Sequence, residues 1–353
     1  TGIIFHINMN IYKALKLVTG KKMPAWIKLL GLWGMHVTRR RMIGIFLDPV
    51  MSCNLRCRMC YFSDPGKRKE MHGIMTDERL GKIEKALFHR ALKLQIGCGA
   101  EPTLSKKLPD IISSGKKAGI PYISLTTNGQ LLADNSDSLM RLAECGLNEI
   151  TLSMHGTEKE TYEFLMPGAR FDRLISLIRI IGQVKSRFPG FVFRINYTIN
   201  SLNVDNLRGD NFWALFENGA FPDIIQLRPV QNMGNTEWSD FNLQPLKDKY
   251  NETIAPIIAE CRRRNITCIA PSLQQIDAVN NDQDSFSALI EDISYCYIDP
   301  NSCYSPQFDL DNDTYESYHK RQHTARRLLA NAILRRNRSR LRHASKKLNY
   351  TVD

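Results

Sequence analysis

The chain has 353 residues, of which 43% are hydrophobic and 24% are charged. This composition can fill one large α/β domain with a smaller appendage, and it excludes a mainly disordered chain. The formal net charge of +12 does not indicate a nucleic-acid substrate, because eleven Lys or Arg and no acid are concentrated in residues 319–347.

The nine cysteines are irregularly spaced, and no cleavable signal sequence is recognisable. Both features predict a reducing compartment, in which thiols stay free to bind metal, and therefore a cytoplasmic protein. The longest apolar stretch, residues 23–37, is interrupted by Lys28 and is shorter than the roughly 20 residues that span a bilayer. We expect no transmembrane helix.

Residues 10–41 are both apolar and basic, which is typical of one or two amphipathic helices. We expect these helices to pack on the body of the protein, with attachment to a membrane surface as the alternative. The pattern divides the chain into an N-terminal amphipathic helical segment (1–41), an α/β domain (42–270) and a small irregular C-terminal extension (271–353).

From residue 42, short apolar runs alternate with longer helical patterns, and repeated strand-then-helix units require a parallel sheet. Six such units favour an α/β fold with a partial (β/α)6 TIM-like barrel over a closed eight-unit one. In such sheets, binding residues gather at the carboxyl ends of the strands. The predicted strands are 43–47, 92–97, 122–127, 149–154, 191–198, 223–229 and 265–270, and the predicted helices are 76–91, 105–118, 136–145, 173–187, 204–217 and 246–264.

Three cysteines follow the first predicted strand with the spacing C-x3-C-x2-C, namely Cys53, Cys57 and Cys60. Structural zinc needs four ligands, and the loop has no fourth Cys or His before His72. A cubane cluster held by three cysteines leaves one iron open to a small molecule. The spacing therefore favours an iron–sulfur cluster, with a zinc or redox module that uses a distant fourth ligand, or three incidental buried cysteines, as the alternatives.

This cysteine loop, placed after a first strand, resembles the signature of the radical S-adenosylmethionine superfamily. The resemblance implies that Cys53, Cys57 and Cys60 hold a 4Fe–4S cluster and that S-adenosylmethionine is the second cofactor. It also implies an external one-electron donor, such as flavodoxin or ferredoxin, and cleavage of the cofactor to a 5′-deoxyadenosyl radical that abstracts hydrogen from a substrate carbon. The superfamily usually has an aromatic residue at the position of Met59.

The segment after the second strand also resembles the superfamily. Gly99, Ala100 and Glu101 match a Gly-Gly-Glu-Pro turn whose backbone and carboxylate bind the methionine ammonium group, with one Gly replaced by Ala. An ammonium group needs acceptors, and a Glu with nearby carbonyls supplies them. The alternative is a plain strand-to-helix turn.

Polar residues on the next strands resemble those that reach the rest of the cofactor. Thr127 and Asn128 end the third strand, and Ser153 lies near the end of the fourth. The resemblance implies that these residues contact the ribose hydroxyls or the methionine carboxylate. Asn196, on the fifth strand, is expected to face the adenine if strand alternation directs it inward.

Three arginines compete for the role of binding the methionine carboxylate. Arg170 and Arg173 follow Ser153 at the separation that related enzymes use, and Arg194 lies on the next strand. The sequence does not choose between them. His155 either acts on the substrate or makes a hydrogen bond within its loop, and no catalytic residue is assigned.

The extension contains Cys296 and Cys303, which resemble the start of the cysteine-containing SPASM or twitch extension. Cys261 and Cys268 would complete four ligands for a second cluster, but they lie on the last predicted helix and strand, where buried thiols behave as small hydrophobes. A degenerate extension without a second cluster is therefore favoured.

Residues 315–348 combine leucines with the eleven cations, as a basic amphipathic helix would. Such a helix is either a solvated terminal helix or a contact for an anionic membrane surface or another polyanion.

The extension resembles that of peptide-modifying relatives, which favours a peptide or protein substrate. A sugar or lipid-linked small molecule is the alternative. A different class of function is an iron–sulfur or zinc binding module that does not cleave S-adenosylmethionine.

Overall fold

The computed structural model describes residues 24–209, 211–276, 285–335 and 351–352. Its centre is a nine-stranded sheet in the order β8-β1-β2-β3-β4-β5-β6-β7-β9. The strands from β1 to β8 pair in parallel, and β9 pairs antiparallel with β7. The strands are β1 (Ile43–Leu47), β2 (Ala91–Ile96), β3 (Tyr122–Thr127), β4 (Glu149–Met154), β5 (Val192–Ile199), β6 (Ile224–Pro229), β7 (Thr267–Ala270), β8 (Tyr295–Ile298) and β9 (Thr351–Val352).

The helices follow the strands along the chain and cover the outer face of the sheet. They are α1 (Ala25–Val37), α2 (Pro65–Glu70), α3 (Asp77–Leu87), α4 (Leu108–Lys117), α5 (Ser136–Cys145), α6 (Lys159–Leu165), α7 (Phe171–Arg187), α8 (Asn211–Glu217), α9 (Gln244–Asp248), α10 (Ile254–Arg263), α11 (Leu273–Ile276), α12 (Ser285–Ser294), α13 (Tyr315–Arg321) and α14 (Thr324–Arg335). The sheet curves into an open barrel whose ends, β8 and β9, are not paired with each other. The prediction of a partial TIM-like barrel is confirmed.

Strand β5 shows how the two faces of the sheet differ. Its residues alternate between buried and half-buried, and the buried Phe193 makes an edge contact with Phe216 of α8. Successive side chains of a strand point to opposite faces, so Arg194 and Asn196 point into the barrel. The apolar core therefore lies between the sheet and the helices, and the barrel interior is lined by polar side chains.

Local signals explain why some predicted boundaries match the structure. Helix α5 has the predicted bounds because the side chain of Asn135 caps its first turn and Gly146 ends it with a left-handed φ of 113°. Helix α3 starts beside Thr76, whose side chain accepts a hydrogen bond from the amide of Arg79. Capping residues can be recognised in the sequence, and in the structure they mark where these helices begin and end.

In place of the predicted helix 204–217, the structure has the shorter helix α8. In place of the predicted helix 246–264, it has two helices, α9 and α10. A 3₁₀ turn at Asp205–Leu207 and Gly209, with a φ of 59°, precede α8. Turn residues separate α9 from α10. The sequence analysis also missed α6, which is only seven residues long.

The extension after residue 270 is more regular than predicted. Strand β8 pairs in parallel with β1, so the extension adds an edge strand to the barrel. The described part of the basic tail forms α13 and α14, which are separated by a turn where His323 has a φ of 52°. Residues 336–348 of the predicted helix, like residues 10–23 of the N-terminal segment, lie outside the described residues.

Helix α1 packs on α14, so the N-terminal and C-terminal segments meet on the same side of the barrel. Arg90, at the start of β2, joins them: its guanidinium donates to Glu316 of α13 at 2.8 Å and to the carbonyl of Arg40 at 2.9 Å. Within the described residues, no helix combines the length and the hydropathy that a membrane crossing requires. The three-segment division of the chain stays a prediction.

Candidate active site

The three cysteines lie on the loop that leaves β1, and each is partly exposed. The amide of Leu55 donates to the sulfur of Cys53 at 3.4 Å, and the amide of Cys60 donates to the carbonyl of Cys57 at 2.9 Å. Burial raises the pKa of Cys53 to about 11 and raises the pKa of both Cys57 and Cys60. Metal binding at these thiols must therefore release protons.

Asp48 anchors the start of this loop. Its buried carboxylate accepts hydrogen bonds from the amides of Cys98 and Gly99, at 2.8 and 2.9 Å, and from the hydroxyl of Tyr297, at 2.8 Å. Asp48 therefore ties together the segments that follow β1 and β2 and the edge strand β8. The sequence analysis missed Asp48 and Tyr297, although an acid at the carboxyl end of β1 was a visible signal.

The turn after β2 is held against the cysteine loop. Tyr61, next to Cys60, donates a hydrogen bond from its hydroxyl to the carbonyl of Gly99. Gly97 has a φ of 81°, and a Cβ atom there would lie 2.3 Å from the carbonyl oxygen of Thr126. Glycine is therefore required at this position. Gly99 and Ala100, two of the predicted cofactor-binding residues, follow directly in this turn.

Glu101 follows the turn after β2 and is buried, with 2% of its surface exposed. One carboxylate oxygen accepts from the amide and hydroxyl of Thr103 and from the hydroxyl of Thr127, and the other accepts from the amide of Asn128 at 2.8 Å. Because both oxygens already bind protein donors, the side chain of Glu101 braces the ends of β2 and β3. The oxygen that binds the amide of Asn128 can accept a further hydrogen bond, so the contact of Glu101 with an ammonium group stays a prediction.

Asn128 links β3 to the cysteine loop. Its side-chain amide donates to the side chain of Asn54 at 2.9 Å and lies 3.9 Å from the sulfur of Cys53. Thr127 is buried. Its hydroxyl donates a hydrogen bond to Glu101 and accepts one from the amide of Gly129. Of these two residues, Asn128 is the one beside the cysteine thiols.

Ser153 and Asn196 are direct neighbours in the register of β4 and β5. Both point into the barrel, in line with strand alternation. The side-chain oxygen of Asn196 is buried and has no hydrogen-bond partner in the described structure. An unpaired buried polar atom is unfavourable unless a ligand satisfies it, so this pair fits a polar ligand.

The structure places the three competing arginines differently, and Arg173 forms an ion pair with Asp134. Arg170 makes an exposed ion pair with Asp172 at the start of α7 and is not brought to the barrel interior. Arg194 lies inside the barrel, where it donates to Gln226 and lies 3.9 Å from a carboxylate oxygen of Glu149. Only Arg194 joins the inward-facing residues.

The side chains of Met59 and His155 both make contacts with residues on or after β5. Met59 is buried against Trp238, and its sulfur lies 3.0 Å from the side-chain amide of Asn200. His155 accepts a hydrogen bond from the amide of Thr198 at 3.3 Å, and burial lowers its pKa to about 4. The side chain of His155 therefore makes its hydrogen bond to β5 and not within its own loop.

The remaining cysteine pairs lie near opposite edges of the sheet. Cys268 of β7 contacts Cys261 of α10, and both are buried. Cys296 lies on β8. Cys303 follows β8 and forms an isolated antiparallel β-bridge with Ile298, the last residue of that strand. All four thiols belong to the apolar core. Because one pair lies near β7 and the other near β8, at opposite ends of the sheet, the four thiols do not converge on one position.

A single zinc ion draws its thiolate ligands to within about 2.3 Å. Among the described residues, no group of three or more His, Cys, Asp or Glu is arranged to hold a single metal ion. The loop offers thiols alone, with amide donors directed at the sulfur of Cys53. Thiolate ligands with amide hydrogen bonds to sulfur suit an iron–sulfur cluster, so these residues fit such a group.

Residues 49–200 match the family model described as the Radical SAM superfamily. This stretch runs from the cysteine loop to the end of β5. The fold, the loop and this match together identify residues 49–200 as a domain of the Radical SAM superfamily. The resemblance in the sequence is confirmed.

Curated relatives share part of this domain. A protein of Methanocaldococcus jannaschii named probable GTP 3′,8-cyclase is 28% identical over 206 residues, which cover 58% of this chain and 65% of that protein. A protein of Archaeoglobus fulgidus with the same name is 27% identical over 201 residues, which cover 56% of this chain and 64% of that protein. The chain thus spans less than two thirds of these relatives.

Solved structures share the fold. SuiB of Streptococcus suis bound to S-adenosylmethionine has a TM-score of 0.56 and 16% identity, over 81% of this chain and 68% of that chain. SuiB bound to the precursor peptide SuiA has a TM-score of 0.54 and 17% identity, over the same shares. At this identity the likeness concerns the fold alone.

Proposed function

We propose that this chain is a radical S-adenosylmethionine enzyme whose Cys53, Cys57 and Cys60 hold a 4Fe–4S cluster. The observation that carries the proposal is the three-thiol loop at the carboxyl end of β1, which the turn after β2 and Asn128 hold in place. When bound, the cluster and S-adenosylmethionine supply a 5′-deoxyadenosyl radical that abstracts a hydrogen atom from a substrate carbon.

The residues of the protein position the cluster and the cofactor and keep water away from them. Asp48 and Tyr61 fix the loop and the turn at Gly99 relative to each other. Ser153 and Asn196 provide polar groups on the inner face of the sheet, which suit the ribose and adenine of the cofactor. An external one-electron donor, such as a flavodoxin or ferredoxin, reduces the cluster.

The favoured substrate is a compact polar molecule inside the barrel. The inner face carries polar side chains such as Arg194, Asn196 and Gln226, whereas the interior of a closed TIM barrel is filled by branched apolar residues. The curated relatives bear the name GTP 3′,8-cyclase, which is in line with a nucleotide or another sugar-containing substrate.

A peptide substrate is the second candidate. The sequence resemblance to peptide-modifying relatives favours it, and the barrel is similar in fold to a protein solved with its precursor peptide. The supporting argument from the C-terminal extension is weaker, because Cys296 and Cys303 belong to the edge of the sheet beside β1.

Anaerobic reconstitution with iron and sulfide tests the proposal. We expect the wild type to bind a cluster and, after chemical reduction, to convert S-adenosylmethionine to 5′-deoxyadenosine. Cys53→Ala, Cys57→Ala and Cys60→Ala should each lose at least about tenfold in this conversion, because a cubane with only two thiolate ligands is poorly held.

The matched control is Cys145→Ala, which removes a partly buried thiol at the end of α5, away from the loop. It should bind iron and form 5′-deoxyadenosine at the wild-type level. Tight zinc binding by the wild type without cleavage of the cofactor would instead support a metal-binding module.

A further inference from the structure

Lys93 is a cation inside the barrel that forms no ion pair within the described residues. It lies on β2 next to Leu94, which is buried on the helix side, so the side chain of Lys93 points to the interior. Its nitrogen lies 5.6 Å from the centre of the Tyr122 ring. In the described parts of the chain, this ammonium group has no hydrogen-bond or ion-pair partner.

The nearby carboxylate of Glu149 is already bound by other groups. It accepts hydrogen bonds from the hydroxyls of Tyr122 and Thr151, the latter at 2.9 Å, and Arg194 lies 3.9 Å away. The interior around Lys93 therefore contains two cations and one acid, and the acid is engaged by other groups. Burial lowers the pKa of Lys93, and the charge of Glu149 partly opposes that shift.

Further polar atoms in this region have no partner in the described structure. The hydroxyl of Ser124 is fully buried and unpaired, and so is the side-chain oxygen of Asn196. Ser124 sits beside Gln95 in the register of β2 and β3. Unpaired buried polar groups destabilise a fold, and they persist where a ligand satisfies them.

We propose that Lys93 binds an anionic oxygen group of the substrate, a phosphate or a carboxylate, inside the barrel. A lysine ammonium group binds such anions as a point charge, and the surrounding hydroxyl and amide groups supply directional hydrogen bonds. The inference rests on the proposed function, since it places the substrate in the same interior, and it names the chemical class that the interior selects.

Anion titration of the anaerobic, reconstituted protein by calorimetry tests this site. GTP serves as the phosphate probe, with guanosine as the same molecule without phosphate, and citrate serves as the carboxylate probe. We expect at least one of the two anions to bind saturably to the wild type. Lys93→Met should weaken that binding at least tenfold, and Lys93→Arg should weaken it less, because it keeps the charge.

Lys117→Met is the matched control, because Lys117 is an exposed lysine at the end of α4. It should bind the same anion as tightly as the wild type. A preference for GTP over citrate identifies a phosphate, and the reverse identifies a carboxylate. Equal anion affinity of Lys93→Met and the wild type, or no saturable binding of either anion to the wild type, would overturn the proposal.

The melting temperature separates a ligand-binding lysine from a structural one. Removing an unpaired ammonium group from the interior should leave the melting temperature of Lys93→Met unchanged or higher, whereas loss of a structural lysine would lower it. Failure of the radical chemistry is read independently, as absence of 5′-deoxyadenosine from the wild type, and it does not alter the anion titration.

Discussion

Asp48 illustrates, at the scale of one residue, how a buried carboxylate fixes a loop. Three donors from two other segments, the turn after β2 and strand β8, converge on it, and none of them is adjacent to it in the sequence. Removing the acceptor leaves backbone amides buried and unpaired, which is more unfavourable than losing the hydrogen bonds alone. Asp48 thereby determines where the cysteine loop lies relative to the turn after β2.

We predict that Asp48→Asn lowers the free energy of unfolding by about 1–3 kcal/mol, because an amide offers one acceptor oxygen for three donors. It should also reduce the iron bound after reconstitution. Chemical denaturation and iron analysis measure the two effects. Tyr297→Phe, which removes one donor of the three, should have a smaller effect on both. Equal losses in the two variants would show that Asp48 does not organise the loop.

The cysteines are the part of the site that the sequence predicts best. Their spacing is local, and the chemistry of three thiolates on one loop does not depend on distant residues. Glu101 and Asn128 are also visible as polar residues at strand ends. The hydrogen bond from the amide of Asn128 to Glu101 cannot be predicted from the sequence, because it depends on the distance at which β2 and β3 place these two residues.

At the scale of the element, strands β1, β3 and β4 have the bounds that the sequence predicts. Each is an apolar run that ends at turn residues, and each pairs with a neighbouring strand on both sides. The predicted ends of the other central strands differ by one or two residues. Most of the barrel is therefore predictable from local patterns.

The edge strands are less predictable. Strand β8 has four residues, two of them tyrosines that point toward the barrel interior, so its apolar pattern is short. Pairing with β1 stabilises it, and that pairing joins residues about 250 positions apart, as the bond between Asp48 and Tyr297 shows with a separation of 249. Lys93 was missed for a related reason, since only the folded sheet reveals that it faces the interior.

The turn after β2 provides a test at this scale. Gly97→Ala should lower the free energy of unfolding by about 1–3 kcal/mol, because its positive φ and the close carbonyl of Thr126 exclude a Cβ atom. Gly190→Ala is the control, since a Cβ atom there meets nothing within 4 Å. Its stability should stay within about 1 kcal/mol of the wild type. Similar melting curves for the two variants would contradict this explanation of the turn.

At the scale of the whole molecule, helices α1, α13 and α14 are packed together around Arg90. This residue is 1% exposed, and its guanidinium lies 4.6 Å from the centre of the Tyr315 ring in addition to its bond with Glu316. A residue at the entry to β2 thus joins both terminal segments to the barrel. This joint is not predictable from local sequence patterns, because the partners come from three distant parts of the chain.

We predict that Arg90→Met lowers the free energy of unfolding by about 2–4 kcal/mol, somewhat less than the loss of a fully buried ion pair, because Glu316 is partly exposed and keeps His89 as a partner. Thermal and chemical denaturation measure the change. Arg187→Ala removes an exposed ion pair with Glu144 and should change stability by less than about 1 kcal/mol. A neutral Arg90→Met variant would show that the joint is dispensable.

His319 makes the same region sensitive to acid. It is 2% exposed, its ring nitrogens lie 2.6 Å from the hydroxyl of Tyr304 and 2.8 Å from that of Thr324, and burial lowers its pKa to about 3. Between pH 6.5 and about 3, the unfolded chain binds a proton that the folded chain does not. The stability contribution of neutral His319 is therefore lost as the pH falls through this window.

We predict that the free energy of unfolding falls by up to about 1.4 kcal/mol per pH unit below 6.5 for this one group. His319→Gln should give a shallower pH profile, because glutamine does not take up a proton. Denaturation at several pH values between 6.5 and 4 measures both slopes. His155 contributes in the same direction in both proteins, since its pKa is lowered to about 4. Parallel profiles would rule out His319 as a source of the acid sensitivity.

The most direct test of the central claim is electron paramagnetic resonance of the reduced, reconstituted protein before and after S-adenosylmethionine is added. If three cysteines leave one iron open, the cofactor binds that iron and changes the signal, and 5′-deoxyadenosine then accumulates. A signal that S-adenosylmethionine leaves unchanged, with no 5′-deoxyadenosine formed, would contradict the account.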